Sequence, residues 1–340
     1  MPHDPLSRYW KVLKGEASAR YLLCKRTRIE VDLTSDTATL WKIHASQHPN
    51  ADSEGNVSLL DLKAEIARRI LEGCTLCERS CGANRLAGSE GHCGVLEAKI
   101  SSEFLHMGEE PDLVPSHTIF FSGCTFDCVY CQNSDISTNP KSGISISPEH
   151  LSNVIARRAM AETGPTGGLP APALSRNVNW VGGDPTSNLP YILMTLSRCE
   201  VNTPQVWNSN MYLSQEALEL LDGVIDVYLT DFKYGNDVCA RRLSNVDRYS
   251  EVVRRNHLIA LSQAEMIVRH LVLPSHLYCC TRPVLDWIAE NLEGVKINVM
   301  GQYHPAHRSM EFEELANPLG ASEYRSALRM AEDLGLDLCE

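Results

Sequence analysis

Six short apolar runs in this 340-residue chain, separated by stretches with helical periodicity, constrain its fold more than any other feature. The runs are Thr118–Phe121, Asn177–Val181, Pro204–Trp207, Val224–Leu229, Met266–Leu273 and Lys296–Met300. Helical patterns cover Pro148–Ala161, Pro190–Arg198, Ser214–Leu221, Val246–Leu261, Pro283–Asn291 and Ser322–Leu334. In the first of these Ser147 suits the N-cap, Pro148 suits the first turn, and Leu151, Val154, Ile155 and Ala159 share one face. Strands alternating with helices imply βαβ units around a parallel sheet. Right-handed crossovers curl six such units into an α/β fold of the partial (β/α)6, TIM-like barrel type. The barrel is expected over residues 116–340, with residues 1–115 as a cysteine-rich N-terminal extension. Within that extension residues 1–57 show no legible chemistry and are expected to cover the open side of the barrel.

In such barrels functional groups gather at the carboxyl ends of the strands, and here those ends are polar. The first run leads through Ser122-Gly123 into Cys124-Thr-Phe-Asp-Cys128-Val-Tyr130-Cys131, a C-x3-C-x2-C spacing. Three thiolates on one short loop can hold three irons of a [4Fe-4S] cube and leave the fourth open to a small molecule. Zinc with a distant fourth ligand and a ferredoxin-like site are the alternatives. Zinc cysteines usually come as two C-x2-C pairs and ferredoxin runs end in Cys-Pro, so neither fits this loop well. The second run ends in Gly182-Gly183-Asp184-Pro185, where two glycines let the backbone approach a ligand closely; a plain β-turn is the alternative. The third ends in Asn208-Ser209-Asn210 and the fourth in Asp231-Phe232-Lys233. Asp231 and Lys233, two apart, point to one side of an extended chain. A carboxylate and an ammonium held side by side suit a zwitterionic amino acid, or form a structural ion pair at the rim.

With 43% hydrophobic and 22% charged residues, the chain suffices for one large α/β domain plus a smaller appendage. Its 31 basic against 43 acidic residues give a formal net charge of -12, which argues against non-specific binding to nucleic acid or to an anionic membrane face. A small-molecule or protein substrate is expected instead. The first ten residues lack a basic-then-apolar leader pattern and no run approaches 18 apolar residues, so the protein is expected to be cytoplasmic.

Thirteen cysteines, an odd number with seven of them between residues 74 and 131, point to metal binding and not to a disulfide framework. Cys74, Cys77, Cys81 and Cys93 follow a helix signalled by the capping box Ser58-x-x-Asp61, by Leu62, Ile66 and Ile70 on one face, and by Gly73 at its end. These four thiols make a second metal site. A closed four-cysteine zinc site and an auxiliary [4Fe-4S] cluster both suit them, and iron–sulfur is the preferred reading. Cys24, Cys199, Cys239, Cys279, Cys280 and Cys339 read as buried or free thiols, with the adjacent pair Cys279-Cys280 singled out. Residues Gly164–Ala173 read as a flexible inserted loop.

The C-x3-C-x-aromatic-C loop resembles the cluster loop of the radical S-adenosylmethionine (SAM) enzymes. That resemblance implies the barrel fold, a [4Fe-4S] cluster on Cys124, Cys128 and Cys131, SAM on the open iron, and Tyr130 against the purine. Gly182-Gly183-Asp184 resembles the motif that holds the SAM amino group, with Asp184 where Glu is usual. Asp231-Phe232-Lys233 resembles the Asp-x-Lys with which glycyl-radical activating enzymes grip SAM. Asn208-Ser209-Asn210 stands where those enzymes have Asp-Thr-Asn-Gly at the ribose and a monovalent-cation site, and the Asp-to-Asn exchange removes a charge. Arg269 matches an arginine near the SAM carboxylate, suited to bidentate binding. Where the family has a histidine close to SAM this chain has Gly301-Gln302-Tyr303-His304-Pro305; His304 is the candidate, with Gln302 and Tyr303 as alternatives. Across residues 74–305 the chain resembles the little-characterised homologues of pyruvate formate-lyase activating enzyme. The resemblance implies reductive cleavage of SAM to a 5′-deoxyadenosyl radical that abstracts hydrogen from a substrate, such as a backbone glycine of a partner glycyl-radical enzyme. It also implies an electron donor such as flavodoxin or ferredoxin. Two other readings stand beside it: radical modification of another peptide or a small molecule, and a non-enzymatic iron–sulfur or zinc protein, which leaves Asp231, Lys233 and Arg269 unexplained.

Overall fold

All six apolar runs are neighbours in one sheet, in chain order, and this sequential pairing sets the shape of the functional face. The computed structural model describes residues 4–49, 53–160 and 174–339; the loop read at Gly164–Ala173 lies outside them. The N-terminal part holds α1 (Ser7–Leu13), α2 (Arg20–Arg26), α3 (Thr37–Ala45) and α4 (Leu59–Ile70), with a two-stranded antiparallel ribbon of β1 (Arg28–Ile29) and β2 (Val57–Ser58). Ser58 caps α4 as expected, its Oγ accepting from the Asp61 N–H at 3.0 Å, while the Asp61 carboxylate accepts from the Ser58 hydroxyl at 2.7 Å and not from its N–H as a full capping box would have it. Then come β3 (Ile100–His106), β4 (Ser116–Phe121), α5 (Ser134–Ser137), α6 (Pro148–Ala159), β5 (Asn177–Gly182), α7 (Leu189–Arg198), β6 (Gln205–Ser209) and α8 (Gln215–Leu221). The chain continues through β7 (Val227–Asp231), α9 (Asp237–Ser244), α10 (Tyr249–Gln263), β8 (Glu265–Leu271), α11 (Arg282–Asn291), β9 (Lys296–Met300), α12 (Ala321–Asp333) and β10 (Asp337–Leu338).

The main sheet runs β10-β9-β8-β7-β6-β5-β4-β3, parallel throughout except for the antiparallel edge pair β3–β4. It is therefore an α/β fold whose six predicted strands gain two more, one at each edge. Sequence periodicity missed β3 because, beyond the buried Ile100, its residues are half-buried or exposed instead of forming an apolar run. The helix expected from Val246 begins at Tyr249, and α9 precedes it. Asn245 and Arg248, with φ of 52° and 49°, take left-handed conformations that L-residues seldom adopt and so divide the two helices.

Side chains alternate across a strand, and the inward face of the sheet is divided along its length. Toward the amino ends Val206, Val227, Leu229 and Ile267 form an apolar floor with Leu6, which precedes α1, and Tyr9 of α1, both fully buried. Two residues further along the same strands and the same face stand Asn208, Asp231 and Arg269. The Glu265 carboxylate seats α1 by accepting from the Tyr9 N–H at 2.8 Å, where a negative group also opposes the positive helix end. The extension thus plugs the floor of the barrel. No sheet ladder joins β3 to β10; instead the β3–β4 connection reaches across that gap. Its Glu110 accepts from Asn298 Nδ2 at 3.0 Å, and Asp112 pairs with Lys296 at 2.7 Å.

Candidate active site

A cavity of about 520 Å³ opens at the carboxyl ends of the parallel strands. Cys124, Cys128, Cys131, Tyr130, Gly182, Gly183, Asp184, Asn208, Ser209, Asp231, Lys233 and Arg269 all line it. Groups separated by up to 145 positions in sequence therefore face one space, and this is what a sheet with functional carboxyl ends achieves.

The two glycines fit the cysteine loop as closely as any ligand. A side chain on Gly183 would place its Cβ 2.1 Å from Gly123 O and 3.1 Å from Cys124 Cβ, and one on Gly182 would lie 2.1 Å from Phe121 O. Gly183 N–H donates to Phe121 O at 2.9 Å, Asp184 N–H donates to Gly123 O at 3.1 Å, and Gly183 O lies 3.3 Å from Cys124 Sγ. The Asp184 carboxylate is held within the protein by three hydrogen bonds: it accepts from Thr186 N at 2.9 Å, Ser209 Oγ at 3.1 Å and Asn210 N at 3.0 Å. Burial raises its pKa, against the pull of these hydrogen bonds. It therefore ties the end of β5 to the end of β6, and Asn210 in turn donates to Thr125 Oγ1 of the cysteine loop at 2.9 Å.

Asp231 is the hub of the charged wall. Its Oδ2 accepts from Lys233 Nζ at 2.7 Å and its Oδ1 from Arg269 Nε at 2.9 Å. Arg269 also donates to Asn208 Oδ1 and faces Glu109 at 3.5 Å. Burial alone would raise the Asp231 carboxyl, but Arg269 and Lys233 outweigh it and hold it at about 2. Sequence reasoning missed His106 and Glu109, which line the cavity and pair at 3.0 Å. Both belong to the edge strand and connection that lack an apolar run. Glu109 raises the His106 pKa, against a smaller effect of burial.

Tyr130 is buried, and its hydroxyl is spent on Tyr234 at 2.7 Å. Tyr234 bonds to Ser244 Oγ, which donates to Cys128 Sγ at 2.9 Å. Burial pushes the Cys124 thiol up and the Cys128 thiol to about 11, with the Lys233 ammonium pulling Cys128 the other way. His304 does not line the cavity; its Nδ1 lies 3.1 Å from Gln132 Nε2, while Gln132 and Gln302 do line it.

The four-cysteine segment packs directly on the cysteine loop. Arg79 Nε donates to Thr125 O at 3.0 Å, His92 pairs with Asp127 at 3.2 Å, and the Cys93 carbonyl lies against Gly123. Cys74 N–H donates to Ala83 O at 3.0 Å and Gly82 N–H to Cys74 O at 3.1 Å, folding the segment on itself. Burial pushes Cys77 up to about 12. Among the described residues, neither this set nor Cys124, Cys128 and Cys131 draws three thiols within 4.8 Å of one another. No helix among the described residues is long and apolar enough to cross a membrane.

The chain is 42% identical to an uncharacterised protein of Methanocaldococcus jannaschii, covering 98% of each. Among solved structures, methylornithine synthase aligns with 12% identity and a TM-score of 0.45 over 98% of this chain and 78% of its own. SuiB of Streptococcus suis, solved with its precursor peptide SuiA, aligns with 13% identity and a TM-score of 0.42 over 63% of this chain, which spans 46% of SuiB. Residues 118–288 match the family model of the radical SAM superfamily, running from the strand before the cysteine loop through most of α11, and the chain belongs to that superfamily.

Proposed function

We propose that Cys124, Cys128 and Cys131 hold the [4Fe-4S] cluster that the family implies, and that the Asn208, Asp231, Lys233 and Arg269 wall binds the SAM molecule beside it. One observation carries the reading: the three thiols of one loop open on the same cavity as that charged wall. The donor set fits the group, being three thiols on a single loop with a free face toward the cavity. When bound, cluster and SAM together supply one-electron cleavage and a carbon-centred radical. The chain's own residues bind and orient. Asp231, flanked by two cations, offers one carboxylate to an amino group, while Arg269 and Lys233 offer cations to a carboxylate. The Gly182–Gly183 bend, seated on Gly123, fixes the distance between the cysteine loop and that wall. The apolar floor around Tyr9 and Leu229 excludes water beneath the reacting centre, which strengthens each of these interactions.

The finer reading is hydrogen abstraction from a protein segment, as in the activation of a glycyl-radical enzyme. It is supported by the Asp231–Lys233 pair and Arg269 standing together, as the resemblance to the activases requires. The test is anaerobic reduction of the reconstituted protein with SAM, quantifying 5′-deoxyadenosine beside Cys128→Ala. Product from wild type alone supports SAM cleavage; none from a demonstrably reduced protein, with or without candidate substrates, overturns it. Co-expression with glycyl-radical enzymes, read by the electron paramagnetic resonance of a glycyl radical, tests the finer reading.

A further inference from the structure

Cys239, Cys279 and Cys280 read in the sequence as spare thiols, yet their three Sγ atoms lie within 4.8 Å of one another. Among the described residues theirs is the one group of this kind. It forms where the chain leaves β7 and β8, at the same carboxyl ends of the sheet that carry the cavity, but none of its members lines that cavity.

Several independent features hold the three thiols together. Cys239 sits in the first turn of α9, whose N-cap Asn236 accepts from the Cys239 N–H at 2.8 Å. The same Asn236 side chain donates to Cys279 O at 2.7 Å and lies 3.4 Å from Cys239 Sγ, clamping the two segments across 40 positions of sequence. Cys279 and Cys280 lie in a π-helical turn, Leu277–Thr281, in which Thr281 N–H reaches back to His276 O at 3.1 Å. Neighbours in an ordinary helix diverge, and π-turns are uncommon and often functional; here both thiols turn toward Cys239. A Cβ at Gly235 would fall 2.8 Å from Cys279 O and 2.9 Å from Cys280 O, so glycine permits the close approach.

We infer that Cys239, Cys279 and Cys280 form a three-thiolate site for one thiophilic divalent cation of the zinc class, with its fourth position open to water. A tetrahedral zinc with bonds of about 2.3 Å holds its sulfurs about 3.8 Å apart, and Cys239 Sγ and Cys279 Sγ already lie 4.0 Å apart. Small side-chain rotations complete the set. Each thiol that becomes a ligand releases its proton to solvent. Cys280 is buried and Cys279 exposed, so the open position faces outward on the Cys279 side. Three protein ligands and one exchangeable ligand are the arrangement of zinc sites that take part in chemistry or exchange, in contrast to closed structural ones.

The test uses the full chain, reconstituted anaerobically with iron and sulfide so that the other cysteines are occupied, then incubated with a small excess of zinc chloride and desalted. Wild type is expected to retain one more equivalent of zinc than either Cys239→Ser or Cys279→Ser, at equal iron content. Zinc X-ray absorption of wild type, which needs no variant, is expected to show a sulfur-rich shell with one light-atom ligand. Equal zinc in wild type and variants, no retained zinc, a four-sulfur shell, or a Cys239–Cys279 disulfide in the anaerobic protein would each overturn the assignment.

Discussion

Replacing Asp231 by Asn removes one negative charge from between two cations while leaving the shape of the side chain nearly intact. Asp231, Lys233 and Arg269 have side chains only 18%, 19% and 14% exposed, so solvent screens the loss poorly. A carboxyl held at about 2 in place of its ordinary 3.8 contributes about 2 kcal/mol at neutral pH, because each pH unit is worth about 1.4 kcal/mol. Breaking a buried pair from one side leaves the partners uncompensated and typically costs about 3–5 kcal/mol. The expected destabilisation is about 2–4 kcal/mol, the lower part reflecting the residual exposure. With a slope of about 3 kcal/mol per molar, the urea midpoint falls by roughly 1 M, readable from the fluorescence of the buried Trp180 and Trp207. The sign with pH follows from the lowered pKa: the stabilisation is complete above the ordinary carboxylate range and is lost as pH falls through about 2. The gap between wild type and variant should therefore stay constant from neutrality down to about pH 5. Lys233→Met is expected to cost at least about 1 kcal/mol less in the Asp231→Asn background than in wild type. A variant within about 0.5 kcal/mol of wild type, or strictly additive double mutants, would refute the hub.

Gly183→Ala drives a methyl group into the Gly123 carbonyl and is expected to lower both the iron retained on reconstitution and the affinity for SAM, measured by iron assay and equilibrium dialysis. Ser244→Ala removes the hydroxyl donated to Cys128 Sγ; because hydrogen bonds to cluster sulfurs help set the potential, a reconstituted cluster should shift negative by on the order of tens of millivolts in a redox titration. Glu109 raises the His106 pKa, so the pair stabilises below pH 6.5 and its contribution disappears as pH rises through the folded value; His106→Gln should flatten that alkaline decline in thermal unfolding. Tyr9→Ala empties the floor beneath the cavity and should cost about 3–5 kcal/mol in chemical unfolding.

The strands were legible because a parallel sheet covered on both faces makes each of its members an apolar run, as at Val227–Leu229 and Met266–Val268. The polar residues just beyond those runs were legible for the same reason, since they interrupt a pattern that burial would otherwise extend. What stayed hidden had no such contrast. Edge strand β3 is half-buried or exposed beyond Ile100, and β10 has only two residues. The separate helix α9 is set off by two left-handed residues, Asn245 and Arg248, that a smooth helical periodicity does not announce. His106 and Glu109 reach the cavity through a connection that crosses from one edge of the sheet toward the other. Cys239 meets Cys279 only through tertiary structure, the two being 40 positions apart. Asp184 lines the cavity as the motif led one to expect, but the contacts of its carboxylate with Thr186, Ser209 and Asn210 are tertiary and no sequence pattern announces them.

The division of the inward face links these placements. Val206 and Asn208, Leu229 and Asp231, and Ile267 and Arg269 are pairs two apart on three adjacent strands, so one pleated face supplies both an apolar floor and a charged mouth. With α1 seated in the floor, charges in the mouth sit over low-dielectric material and interact more strongly than they would across water. The β3–β4 connection uses that strength. Glu109 approaches Arg269 at 3.5 Å, Glu110 takes Asn298 at 3.0 Å and Asp112 takes Lys296 at 2.7 Å, so polar pairs close the side of the barrel that strands leave open. Arg269 thereby belongs to two systems at once, the Asp231 hub and the connection that closes the barrel. On the proposed function, a ligand carboxylate at Arg269 would compete with Glu109 for the same guanidinium, which would make occupancy of the cavity and closure of its side wall parts of one equilibrium.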